Sequence, residues 1–84
     1  SAMNISLLSA IEQSVKRNHL DAAAGEIKQL ENNRVQVSFA KVGYLPVMRW
    51  IEDVQVTSAS KIDKVSIQKT EKPGIVHLEV TLER

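Results

Sequence analysis

Few side chains in this sequence have the types and spacing that catalysis or metal binding requires. His77 and Glu79 lie two positions apart in an alternating segment, so they share one strand face and offer a nitrogen and a carboxylate. The other histidine, His19, has no acidic pair at metal-ligand spacing, and the sequence contains no cysteine. A solvated strand surface is the preferred interpretation of His77 and Glu79. We therefore expect no catalytic residue, no metal and no cofactor.

Phosphate and nucleic-acid binding are also disfavoured. The three glycines, Gly25, Gly43 and Gly74, are scattered and form no phosphate-binding loop. Phe39 is the only aromatic residue in a predicted strand, and its alternation with Val35 and Val37 assigns it to the core instead of a base-stacking surface. A net charge of +1 with interspersed signs gives neither a basic stripe for nucleic acid nor a polybasic membrane patch.

The length of 84 residues suits one small domain, which we place at residues 4–84. Ser1-Ala2-Met3 looks like the remnant of a cleaved expression tag. No apolar run approaches the roughly 18 residues of a membrane span. A domain of this size buries only about 60% of its unfolded surface, so a partner is expected to contribute to its stability.

The pattern of one helix followed by a hairpin appears twice. In the first copy Asn4 is expected to cap a helix that opens at Ile5, with a core stripe at helical spacing. In the second copy Pro46 suits the first turn of a helix, where its missing N–H costs nothing. The helical stripes are Ile5, Leu8, Ile11 and Val15, then Val47, Trp50, Ile51 and Val54; the strands are Glu26–Glu31, Val35–Phe39, Lys61–Lys69 and Val76–Leu82. The turns are Asn32-Asn33, which favours positive φ, and Lys72-Pro73-Gly74, a type II signature.

This order predicts an α+β fold: a ferredoxin-like, circularly permuted αββαββ arrangement with a four-stranded sheet and two helices on one face. The strand order is expected to be 3-4-2-1. The two strands that alternate best are then central, and the short or lysine-rich strands are edges. One core is expected to contain Val35, Val37, Phe39, Trp50, Ile51, Val76, Leu78 and Val80. The opposite face of the sheet is expected to be polar.

Nearly the whole chain resembles one family. The segments that carry the resemblance are Ser6-Leu7-Leu8-Ser9-Ala10-Ile11-Glu12-Gln13-Ser14, Met48-Arg49-Trp50-Ile51 and Pro73-Gly74-Ile75-Val76-His77-Leu78-Glu79-Val80-Thr81-Leu82. In this order and spacing they are similar to the C-terminal periplasmic domain of type II secretion system protein M. The resemblance implies a single-pass inner-membrane protein of Gram-negative bacteria, with its membrane helix upstream of this sequence. It also implies a non-enzymatic role in the inner-membrane assembly platform that supports export of folded proteins, and pairing with itself and with protein L.

The family offers no motif-defined binding residues, so the contact surface is predicted from the residues. Leu7, Ala10 and Ser14 repeat at i, i+3 and i+7 beside the core stripe and suggest a narrow second seam on the first helix. With Glu26, Lys28 and Leu30 of the adjoining edge strand, they are expected to form a homodimer contact for which protein L competes. If the first helix is only a lid on the core, the interface is expected on Lys61–Lys69. A small-molecule-sensing or regulatory dimerisation module is the alternative function.

Overall fold

The computed structural model describes residues 5–84 of the chain and shows two helices and four strands in the order αββαββ. The helices are α1 (Leu7–Arg17) and α2 (Tyr44–Thr57), and the strands are β1 (Ala24–Leu30), β2 (Arg34–Gly43), β3 (Lys61–Lys69) and β4 (Ile75–Glu83). The sheet order is β1-β2-β4-β3, and every neighbouring pair is antiparallel. The predicted α+β, ferredoxin-like architecture and its strand order are confirmed. No helix within residues 5–84 is long and apolar enough to cross a membrane.

Both predicted turns have the backbone that their residue types favour. Asn32 and Asn33 adopt φ values of 61° and 56°, as a two-residue hairpin turn with right-handed strand twist requires. Gly74 adopts a φ of 77°, and the N–H of Ile75 donates to the carbonyl of Lys72 at 3.2 Å. Pro73 and Gly74 therefore occupy the second and third positions of a type II turn. These turns set the two hairpins that build the sheet.

The start and the phase of α1 differ from the prediction. Asn4 lies outside the described residues, and the helix begins at Leu7, with the Ser6 hydroxyl accepting the N–H of Ser9 at 3.0 Å. Leu8 and Ile5 are only half-buried. The fully covered face of the helix consists of Leu7, Ala10, Ile11, Ser14 and Val15. The stripe is rotated toward small residues because α1 packs against α2 as well as against the sheet, and small side chains allow close helix approach.

The core lies between the helices and one face of the sheet. At its centre the rings of Phe39 and Trp50 meet edge to face, with centroids 5.3 Å apart and planes at 75°. Seven of the eight predicted core residues are buried: Val35, Val37, Phe39, Trp50, Val76, Leu78 and Val80. Ile51 was also assigned to the core, but it is only half-buried and packs at its margin.

The other face of the sheet is polar, as expected. Gln36 on β2 donates from Nε2 to Oε1 of Glu79 on β4 at 3.0 Å. Thr81 beside them is nonetheless buried. Both hydrogen-bonding partners lie on the two central strands, so this contact reinforces the register between them.

Candidate protein-contact surface

The seam predicted on α1 is not a surface in this structure. Leu7, Ala10 and Ser14 are all buried within the monomer. The expectation that they present a spare contact stripe is therefore corrected: they are part of the packed face of the helix. The sequence argument failed because it assigned the core stripe to Ile5 and Leu8, which left these three positions without a role.

Ser14 has a specific structural role that explains its burial. The indole Nε1 of Trp50 donates to its hydroxyl oxygen at 2.9 Å, and the hydroxyl itself donates to the carbonyl of Ile11 at 2.7 Å. A buried indole N–H needs such an acceptor, because an unpaired buried donor is costly. Ser14 therefore supplies the hydrogen-bond acceptor for the indole N–H of Trp50, the largest side chain in the core.

A second polar contact joins the far ends of the two helices. Oδ2 of Asp53 accepts hydrogen bonds from Nη2 of Arg17 at 2.8 Å and from Nδ2 of Asn18 at 2.9 Å. These two hydrogen bonds, Arg17 first, hold the pKa of Asp53 below its ordinary value, because they stabilise its charged form. Arg17 also donates to the Thr57 hydroxyl at 3.0 Å. The cluster fixes α1 against α2 at the surface.

The β1 residues of the predicted interface lie on an edge strand, as expected. Glu26 and Lys28 are exposed and Leu30 is half-buried. Their pairing partners on β2 place all three side chains on the polar face of the sheet, away from the helices. The helix-side residue of this strand, Ile27, packs against the core below α1. The β1 edge thus offers free backbone groups, but Leu30 is its only apolar side chain on the polar face and is only partly exposed.

The β3 edge differs because its helix-side residues are uncovered. Both helices pack chiefly over β1, β2 and β4. Val65 and Ile67 face the helix side opposite Val80 and Leu78, yet they are 51% and 45% exposed. Tyr44, at the start of α2, is 45% exposed and lines a common hollow with Ile67. We refer to Tyr44, Val65 and Ile67 as the β3 surface.

The hollow beside the β3 surface has a volume of about 610 Å³ and is bounded by the β3–β4 turn. Two lysines, Lys69 and Lys72, stand at its rim, and Pro73 and Ile75 contribute apolar lining. Among the ion pairs of residues 5–84, none includes Lys64, Lys69 or Lys72. The surface is therefore apolar with a cationic margin, which is typical of a protein contact.

The residues considered for metal chemistry do not form a site in the described chain. Nε2 of His77 lies 3.8 Å from Oε2 of Glu79, on the polar face. Residues 5–84 contain no group of three or more His, Asp or Glu side chains close enough to hold a metal ion. His77 and Glu79 thus sit on an accessible strand face, in agreement with the preferred interpretation.

The alternative function, small-molecule sensing, requires a pocket that could hold a ligand. A cavity of about 520 Å³ does lie between α1 and β1, open to solvent and lined by charged residues such as Glu12, Lys16 and Asp21. Within the described residues every buried side-chain nitrogen or oxygen already has a hydrogen-bond partner. The buried polar groups are thus engaged in holding the fold.

Comparison with known families assigns the chain. The family model for type II secretion system (T2SS) protein M matches residues 7–84, which spans both helices and all four strands. The chain belongs to the type II secretion system protein M family. This membership places it in protein transport, as a structural component of the secretion system. A search of curated proteins found no match.

The β3 surface was only partly foreseen from the sequence. Lys61–Lys69 was predicted as an edge strand and as the second choice of interface, but on account of its lysines. The alternation of Val65 and Ile67 was visible, and it normally indicates burial against the core. That these two side chains are uncovered depends on where the helices lie.

Proposed function

We propose that this domain is a protein-contact module of the inner-membrane assembly platform, acting in the periplasm. It pairs reversibly with a second copy of itself and with the periplasmic domain of protein L, and is not an enzyme. Exchange between these two pairings would transmit movement around the base of the pseudopilus. Membership of the protein M family supports the secretion role.

The single observation that supports a contact role is the uncovered β3 surface. In a domain of 84 residues, an edge strand with two apolar side chains about half exposed leaves contact area that the monomer does not bury. Its hollow and lysine margin suit an amphipathic partner with acidic groups at the rim. An interface of this size leaves little surplus after the cost of association, so affinities of about micromolar or weaker are expected.

The test compares two serine substitutions at exposed apolar positions. Ile67→Ser removes apolar area from the β3 surface, and Val56→Ser does the same at a position 80% exposed on α2, away from that surface. Binding to the periplasmic domain of protein L is measured by calorimetry, and self-association by sedimentation. Ile67→Ser is expected to weaken both about fivefold or more, which corresponds to about 1 kcal/mol, and Val56→Ser to leave them unchanged.

Two results would count against this proposal. If the wild-type domain neither self-associates nor binds protein L at several hundred micromolar, the contact role itself is wrong. If it binds but Ile67→Ser behaves like Val56→Ser, the contact lies elsewhere, and the β1 edge with Glu26, Lys28 and Leu30 is the next candidate.

A further inference from the structure

The outer edge of β3 carries unpaired backbone groups along a nine-residue strand. Every residue from Asp63 to Lys69 is exposed. The side chains alternate between two different surfaces: Val65 and Ile67 on the helix side, and Lys64, Ser66 and Gln68 on the polar side. A strand added here would therefore need apolar residues on one face and polar residues on the other, with no cationic residue directly opposite Lys64.

The segment Lys64–Gln68 of a second copy, running antiparallel to the first, meets that need. With Ser66 set opposite Ser66 of a second copy, Val65 faces Ile67 of that copy and Lys64 faces its Gln68. The apolar pair then occurs twice on the helix side, and the Lys–Gln pair twice on the polar side. Cross-strand pairs of this kind are the unit of sheet stabilisation.

Other antiparallel registers that keep the helices of both copies on the same side of a shared sheet give less favourable side-chain pairs. Centring the pair on Lys64 places that lysine opposite its own copy. Centring it on Val65 sets Ile67 opposite Asp63, where the strand carries a register irregularity. Centring it on Ile67 sets Val65 opposite Lys69. Like charges directly opposite one another are destabilising, as is an apolar side chain opposite a charged group. The charged residues therefore select one register instead of preventing all pairing.

We propose that two copies of this chain pair through antiparallel β3 edges in the register centred on Ser66, forming a continuous eight-stranded sheet from two four-stranded ones. Val65 and Ile67 of both copies then make a four-residue apolar cluster on the helix side, at the edge of the sheet away from the strands over which the helices chiefly pack. The contact is isologous, so each substitution acts on both halves of it. This inference rests on the self-pairing part of the proposed function and specifies its geometry.

Charge substitution at Gln68 tests the register. Gln68→Glu sets a carboxylate opposite Lys64 at two symmetric positions, and Gln68→Lys sets a second ammonium group there instead. From the range known for cross-strand pairs, the dimer dissociation constant is expected to fall roughly 2- to 30-fold for Gln68→Glu and to rise by a similar factor for Gln68→Lys.

The matched controls are Gln13→Glu and Gln13→Lys, the same charge changes at an exposed position of α1. Sedimentation equilibrium gives the constant, and circular dichroism verifies that each variant is folded. Equal effects at Gln13 and Gln68, or no effect at Gln68, would overturn the register.

Disulfide trapping tests the geometry directly, because the native sequence has no cysteine. Facing residues of an antiparallel pair have Cα atoms roughly 4.5–5.5 Å apart, within the range that a disulfide bridges. Ser66→Cys is expected to oxidise to a covalent dimer at protein concentrations where Lys28→Cys, on the β1 edge, stays monomeric. If Lys28→Cys cross-links and Ser66→Cys does not, the β3 pairing is wrong although the domain still self-associates. If neither cross-links and the wild type remains monomeric while binding protein L, self-pairing is wrong and the protein L contact stands.

Discussion

The hydrogen bond between the Trp50 indole and Ser14 gives the sharpest test of how this core is assembled. Both side chains are fully buried, and the Nε1–Oγ distance is 2.9 Å. Ser14→Ala removes the acceptor and leaves the indole N–H without a partner, which costs about 1–3 kcal/mol of unfolding free energy. Alanine offsets up to about 0.5 kcal/mol of this loss through its higher helix propensity. In a domain of this size, each kcal/mol lowers the unfolding midpoint by about 4–8 °C.

The matched control is Ser9→Ala, on the same helix. The Ser9 side chain is half-buried, and the hydrogen bond at this residue is made by its backbone N–H. This control receives the same gain in helix propensity without leaving a buried donor unpaired. It is expected to leave the free energy of unfolding unchanged or to raise it by up to about 0.5 kcal/mol.

A double-mutant cycle with Trp50→Phe separates the hydrogen bond from the rest of the packing. Phenylalanine has no N–H, so in that background Ser14→Ala leaves no unpaired indole donor and its cost should fall close to zero. The expected coupling between the two positions is about 1–2 kcal/mol, within the range for contacting residues. Urea unfolding is followed by far-ultraviolet circular dichroism, because Trp50 is the only tryptophan. A coupling below about 0.5 kcal/mol, or a Ser9→Ala variant as unstable as Ser14→Ala, would refute this account of Ser14.

Three further predictions follow from individual contacts. The hydrogen bonds to Asp53 hold its folded-state pKa below the unfolded value, so they stabilise the protein above the unfolded pKa, and this stability is lost as pH falls through the lower folded pKa. The urea midpoint of the wild type should therefore fall more steeply between about pH 4 and pH 2 than that of Asp53→Asn. Equal slopes for the two proteins would contradict the assignment. Phe39→Ala deletes a buried ring in contact with Trp50 and should cost about 3–5 kcal/mol by chemical denaturation, whereas a loss under about 1 kcal/mol would show that the ring is not a core element. Gly74→Ala places a side chain at a φ of 77° in open space, so backbone strain alone should lower the free energy of unfolding by about 1 kcal/mol. Gly25→Ala, where φ is not positive, should lower it by less. Equal losses for the two variants would argue against strain.

Local features of the fold were predictable from the sequence because they depend on neighbouring residues. Asn32-Asn33 and Pro73-Gly74 have intrinsic backbone preferences that permit few turn types. The alternation in β2 and β4 identifies strands with one buried face, and two such strands must be central in a four-stranded sheet. The strand order and the core position of Phe39 and Trp50 both follow from patterns of this kind.

The candidate contact surface could not be predicted in the same way, because burial depends on distant parts of the chain. The period of α1 is compatible with more than one buried face, and the presence of Trp50 on α2 decides that Ala10 and Ser14 turn inward. Val65 and Ile67 show the alternation of core residues, yet they are exposed because two helices cover only part of a four-stranded sheet. The sequence by itself determined which segments form strands and helices and in what order. Only the tertiary structure decided which apolar side chains are covered, since that depends on how far the helices extend across the sheet.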